Sequence, residues 1–386
     1  MSTTSLSRPE AWSDKRYLWL LSPAIPLLTI LSLVFYQVFG QSFWLWSLPF
    51  VIHVVIPTLD YLFGEDFSNP PESMVPILEK DVFYRVLLFL FVPFQLSGTV
   101  LGAWLVATHD LVWYEFIGLV LSVGGFNGIG IATAHELGHK KEAVEQWLAK
   151  ITLAPTFYGH FFVEHNWGHH KRVSTPEDPA SSRLGETFWA FLPRTVIGSL
   201  RSGWHLEAER LARKRMSVWS VHNHNLQAWA MSLVLFGVLI AWLGWQVLPF
   251  LILQALYGAS LLEVVNYVEH YGLLRQKDAQ GKYERCMPEH SWNSNHIVGN
   301  IFLYHLQRHS DHHAHPTRRY QALRHFPQSP QLPSGYAAMI TVAYCPPLWF
   351  ALMNDRVVKH YGGDIGRANV QPSARQRLQA RYGRGA

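Results

Sequence analysis

The chain has 386 residues, of which 49% are hydrophobic and only 15% charged, against roughly 25% charged in soluble domains. Trp, Tyr and Phe make up 14% and the formal net charge is +5. That balance excludes an ordinary soluble domain and fits a membrane protein with aromatic belts, with no need for a nucleic-acid partner. Two cysteines, Cys286 and Cys345, are too few for a disulfide framework or a four-cysteine iron site.

In chain order, six apolar stretches are long enough to cross a bilayer, at about 20 residues per crossing. They are Tyr17–Tyr36, Ser42–Phe63, Val82–Ala107, Leu111–Thr133, Ala228–Gly244 and Leu248–Tyr267. The first is too long for a signal-peptide core and no small-residue cleavage site follows it. The 32 Lys and Arg residues fall in the N-terminal arm, around the second connection, between Ala134 and Gln227, and after Tyr267. Six spans put all of them on one side, which predicts that both termini are cytoplasmic. The expected fold is all-α. Residues 1–386 form a single integral-membrane domain of six transmembrane helices, and the cytoplasmic segments, about 134–227 and 268–386, fold into a helical cap.

The motifs gather at the cytoplasmic ends. They are His135-Glu136-Leu137-Gly138-His139, Glu164-His165-Asn166-Trp167-Gly168-His169-His170, Glu269-His270 and His309-Ser310-Asp311-His312-His313. Helical i, i+4 spacing puts His135 with His139, His165 with His169, and His309 with His313 on shared faces, so each pair is expected to grip one metal. These nine imidazoles exceed the needs of one ion and suit two. Glu136, Glu164, Glu269 and Asp311 read as acceptors that orient the ligating rings, with Glu269 the first candidate to reach a metal directly. His305, four residues before His309, reads as a supporting residue on the same helical face. His160, His296 and His315 read as hydrogen-bonding or surface groups. His53 is an ionisable residue inside the second span and is not assigned to the metal.

The first motif alone matches the zinc-protease pattern, with Glu136 as general base. That reading predicts one or two further ligands and leaves the other three clusters unexplained. A transporter is disfavoured because the histidines gather on one side. Gly124, Gly128 and Gly130 in the fourth span read chiefly as close helix packing, with a substrate path as the alternative. An all-imidazole shell suits iron, zinc, copper or nickel. Iron is the economical choice for turning O2 on an unactivated C–H bond.

Three segments carry a resemblance: Asn266-Tyr267-Val268-Glu269-His270-Tyr271-Gly272-Leu273, the run from Leu306 to Ala314, and Glu164–His170. They resemble the integral-membrane alkane 1-monooxygenases of the membrane di-iron hydroxylase and desaturase superfamily. Leu62–Pro71 and Ser291–His296 also fit that family. The resemblance implies two non-haem irons held by His135, His139, His165, His169, His170, His270, His309, His312 and His313. It implies O2 as co-substrate and terminal hydroxylation of n-alkanes, drawn from the bilayer, to primary alcohols. It implies electrons from a rubredoxin acting in trans, reduced by an NAD(P)H-dependent flavin reductase, in a bacterial inner membrane. Arg318, Arg319 and Arg324 are candidates to steer an acidic carrier, with the positive-inside bias an equal explanation. Ile52 and Val55, one turn apart in the second span, are candidates to line the substrate channel. By the resemblance, bulk there limits chain length. A fatty-acid or other lipid hydroxylase or desaturase would use the same di-iron site.

Overall fold

The computed structural model describes residues 12–383. Arg8 and Arg384, two of the basic residues counted above, lie outside it. Among the described residues the regular structure is helical, with isolated bridges and no strand. Six helices are long and apolar enough to cross a membrane: α1 (Arg16–Phe39), α2 (Ser42–Phe63), α3 (Val82–Thr108), α4 (Trp113–Gly138), α8 (His224–Leu243) and α9 (Trp245–His270). Between α4 and α8 lie α5 (Ala143–Leu153), α6 (residues 161–172) and α7 (Phe188–Arg213). After α9 come α10 (His309–Ala314), α11 (Tyr336–Ala343) and α12 (Pro346–His360).

The spans match the expected six, but α4 and α9 run further. α4 continues past Thr133 to Gly138, and α9 past Tyr267 to His270. Both are even-numbered crossings, so both end on the same side, each carrying histidines in its last turn or at its cap.

α4 and α9 form the central pair and pack more extensively than any other two elements. Glycine makes this possible. A Cβ on Gly124 would come within 2.6 Å of the Gln254 carbonyl, and one on Gly128 within 2.9 Å of the Gly258 carbonyl. No larger residue fits without separating the helices. Gly130 instead faces α3, where a Cβ would lie 2.5 Å from Gln95 Nε2. A buried polar tie reinforces the bundle: Asn127 Nδ2 donates to Gln254 Oε1 at 2.8 Å and to Thr99 Oγ1 at 3.1 Å. Away from this core, the lipid-facing surface is apolar; Leu233, Val234, Val238 and Trp242 on α8 are all exposed.

α6, α7 and the chain after α9 cover the ends of α4 and α9. The apolar faces of α7 and of the chain after α9 join α9 in one cluster that includes Phe188, Phe191, Tyr267, Tyr271, Tyr336 and Trp349, each fully buried, while Phe161, Phe162 and Val163 of α6 belong to a second cluster. The cap is therefore packed onto the bundle as continuous core, which fixes the positions of side chains at the junction.

Candidate metal centre

The nine histidines meet at this junction in two groups. One contains His135, His139, His165, His170 and His312; the other contains His169, His270, His309 and His313. In the first, the Nε2 atoms form a chain of close approaches: His135–His312 at 2.9 Å, His312–His170 at 3.0 Å, His170–His165 at 3.0 Å and His165–His139 at 3.1 Å. In the second, His309 Nε2 lies 2.9 Å from His313 Nε2 and 3.3 Å from His270 Nε2. Donors about 2.1 Å from one ion, at right angles to each other, are about 3.0 Å apart. Neutral imidazoles whose Nε2 lone pairs converge in this way repel each other unless a cation sits between them. The donor set therefore fits a metal in each group. The groups adjoin, since the His170 and His313 rings are 4.5 Å apart.

Burial keeps the donors ready. Desolvation first, and then neighbouring charges, hold His139, His165, His170, His309, His312 and His313 well below their ordinary value of 6.5. They present neutral lone pairs at neutral pH.

Local geometry corrects one expected pairing. His165 and His169 do not share a metal group. Residues Glu164–His169 wind as a π-helix, whose wider turn brings i and i+5 into line. His165 consequently pairs with His170, and His169 turns to the second group. Gly168 permits this turn: a Cβ there would lie 2.5 Å from both Glu164 Oε2 and the Arg172 guanidinium. His135/His139 and His309/His313 do stay together.

The carboxylates are the second correction. Glu136 accepts from Lys140 Nζ at 2.9 Å and from the Tyr320 N–H at 3.2 Å. Glu164 accepts from Arg172 at 2.8 Å, and burial raises it to about 7. Asp311 accepts from Arg318 at 2.7 Å and pairs with His315 Nδ1 at 2.8 Å. None of these three bonds a clustered histidine, because each is closer to a cation or backbone donor of the cap. Glu269 alone touches the centre: its Oε2 lies 3.2 Å from His309 Nε2, the metal-facing atom, and its Oε1 has no partner.

The acceptor role falls to a residue that the motifs do not contain. Asp178 Oδ2 lies 2.9 Å from His169 Nδ1 and is fully buried. Burial alone would raise it, but His169 and Ser181 hold it down to about 2. Its signal in the sequence is faint: a carboxylate in a Glu-Asp-Pro turn nine residues after a ligand.

His305 does not lie on the helix of His309. Tyr304 and His305 both have positive φ, 53° and 54°, which no helix continues through, and α10 starts only at His309. His305 Nδ1 instead meets the Tyr320 carbonyl at 2.9 Å. His53 Nδ1 pairs with Thr341 Oγ1 at 2.8 Å, away from the metal groups. The three arginines are also committed: Arg318 to Asp311, Arg319 to Glu145 and Arg324 to Glu72.

An apolar cavity of about 60 Å³ lies between α2, α4 and α9. Ala132, Val265 and Leu306 line it, and each stands within five residues before His135, His270 or His309. Ile52 and Ile56 of α2 also line it, together with Gly128. Val55 is not among the lining residues, a further departure from expectation. Residues Val51–Val55 are π-helical, and this wider turn takes Val55 off the face that Ile52 shares with Ile56.

The sequence profile of the fatty acid desaturase family matches residues 111–343. The chain is 49% identical to an alkane 1-monooxygenase of Acinetobacter baylyi over 96% of its own length and 91% of the relative's. It is 47% identical to one of Pseudomonas putida over 96% and 92%. It is 28% identical to the xylene/toluene monooxygenase hydroxylase component of Pseudomonas putida, over 85% and 86%.

Proposed function

This chain belongs to the alkane 1-monooxygenase family, within the broader fatty acid desaturase family, and from that membership we propose that its nine histidines hold two irons that hydroxylate the terminal methyl of an n-alkane with O2. Alkane hydroxylation follows from the family; the irons, the terminal position and the residue roles are our reading. The observation that carries it is the convergence of five imidazole nitrogens in one group and four in the other, at spacings that metal coordination would require.

His135, His139, His165, His170 and His312 would hold one iron. His169, His270, His309 and His313 would hold the other, with Glu269 as a fifth donor whose charge offsets part of the cation's. Iron, when bound, supplies the oxidising power needed for an unactivated C–H bond. The protein's own contribution is positioning. The alkane enters from the bilayer between α2, α4 and α9, and the apolar cavity aims one end at the ligands while excluding water. Asp178 fixes the His169 tautomer, so that Nε2 faces the metal.

Electrons come from a redox partner, which we assign as a rubredoxin acting in trans, supplied by an NAD(P)H-dependent flavin reductase. With the three arginines paired, the exposed Lys141 and Lys171, each just beyond a ligand pair, are the basic residues placed to meet an acidic carrier. The basic side is read as cytoplasmic, in a bacterial inner membrane, with both termini on it.

Metal analysis of the purified chain, with chromatography of products from n-octane, O2 and reduced rubredoxin, tests this reading. Two irons per chain and 1-octanol are expected. One zinc with no iron, or oxidation only within the chain of the substrate, would overturn it.

A further inference from the structure

Alkane hydroxylation balances as RH + O2 + 2 e⁻ + 2 H⁺ → ROH + H2O, with the electrons supplied by the redox partner. Each turnover therefore brings protons to a centre buried beneath the cap and releases water from it. The cavity assigned to the alkane carries neither, because every side chain lining it is apolar.

A second, small cavity is different. It touches one histidine of each group, His165 and His169, and besides Phe161 and Ala180 it is lined by Tyr158, Glu164, Ser199, Glu263 and Asn266. Glu263 stands out because it lies in the membrane-spanning α9 and is 1% exposed. It accepts from Tyr158 Oη at 2.7 Å, Thr195 Oγ1 at 2.8 Å and Asn266 Nδ2 at 3.3 Å. None of these partners is a cation or a clustered histidine. An ionised carboxylate inside a span without a cation is costly, so Glu263 rests as the protonated acid, and intramembrane acids of this kind serve in proton relays.

Thr195 also begins a row of hydroxyls. Thr195, Ser199 and Ser202 recur four and three residues apart on α7, hence on one helix face. Ser202 Oγ accepts from Arg172 at 2.6 Å, and Arg172 is 26% exposed. Arg172 also donates to Glu164, whose other oxygen is buried without a partner. Polar groups thus run from a partly exposed arginine to the buried carboxylate beside the ligands.

We infer that this row and its cavity form the passage by which protons reach the metal centre and product water leaves it, with Glu263 as the inner proton-exchanging group. The inference rests on the reading of the histidine groups as the oxygen-activating centre. Glu263 gives a proton to water in the cavity beside His165 and His169. It regains one from water along Ser199 and Ser202, supplied by solvent at Arg172. The carboxyl group ends each cycle as it began, and the two protons consumed come from solvent. Tyr158, Glu164, His165 and His169 are the titratable groups that share the cavity with it.

The test uses the full-length, iron-loaded chain with n-octane and reduced rubredoxin. Glu263→Gln should keep its iron yet lose about 100-fold in turnover, release more of its O2 as hydrogen peroxide, and show a larger solvent deuterium isotope effect. Glu263→Asp should recover part of the loss. In metal-free protein, the infrared carbonyl band of Glu263 should shift promptly on transfer to D2O, and Ser199→Val should slow that shift. The Ser199→Val arm stands even if Glu263→Gln does not fold. Wild-type turnover, coupling and isotope effect in Glu263→Gln would overturn the passage, as would D2O exchange unchanged by Ser199→Val. If the wild-type chain shows no iron-dependent O2 uptake, the reading of the centre fails, and the exchange experiment still decides the passage.

Discussion

Asp178 Oδ2 lies 2.9 Å from Nδ1 of His169, and among the described residues it is the fully buried carboxylate that meets a clustered imidazole at its rear edge. Replacing it with asparagine keeps the shape and removes the charge. Asp178→Asn should weaken iron retention about 10–100-fold, chiefly in the group containing His169. The check is iron per chain after dialysis against graded chelator. Retention equal to wild type would remove Asp178 from the centre.

The split of His165 from His169 makes an unusual double-mutant prediction. His165→Ala and His170→Ala damage the same group, so the pair together should cost one iron. His165→Ala with His169→Ala damages both groups and should cost two. Iron counting on the three single and two double variants distinguishes these outcomes. Equal losses in the two double variants would contradict the assignment of the π-turn.

Channel length gives a contrast between neighbours on α2. Ile52 and Ile56 face the apolar cavity, whereas Val55 does not line it. Ile52→Trp should shift turnover toward shorter alkanes at unchanged iron content, and Val55→Trp should leave the length profile alone. Product yields across a series from hexane to hexadecane provide the test. A shift caused by Val55→Trp and not by Ile52→Trp would move the channel to another face.

Acid should destabilise the metal-free protein. Six of the clustered histidines are held well below 6.5 when folded. Below that value the unfolded chain takes up protons that the folded chain refuses, so stability falls with pH. The stability these histidines contribute is fully present above 6.5 and declines on acidification. Thermal melts of chelator-stripped protein between about pH 8 and about pH 5 should show a falling midpoint, and iron loading should blunt the fall. A flat profile without metal would show that the imidazoles are not buried together.

The sequence made the spans legible because hydropathy and charge are summed over many residues. The sharing of ligands between metals was not legible, because it turns on one widened helical turn at Glu164–His169. Val51–Val55 is also π-wound, and Val55 does not line the apolar cavity. The roles of Glu136, Glu164 and Asp311 were misread because proximity along the chain was taken as proximity to the rings. Lys140, Arg172 and Arg318 compete for those carboxylates, and all three come from the basic cap. Asp178 was missed because it belongs to a loop whose fold is set by tertiary contacts such as Ser181 Oγ donating to its Oδ2 at 2.7 Å.

The order of the donors along the chain gives the two groups different histories during synthesis. Four of the five donors of one group have been made by residue 170, and it lacks only His312. The other group has only His169 by that point and draws His270, His309 and His313 from the last third of the protein. A chain still emerging into the membrane can therefore offer one nearly complete set of donors long before the other exists. Four donors of the first group come from α4, its cap and α6, whereas three donors of the second lie beyond them in the chain. Loss of the C-terminal segment would thus take one donor from the first group and three or fewer from the second.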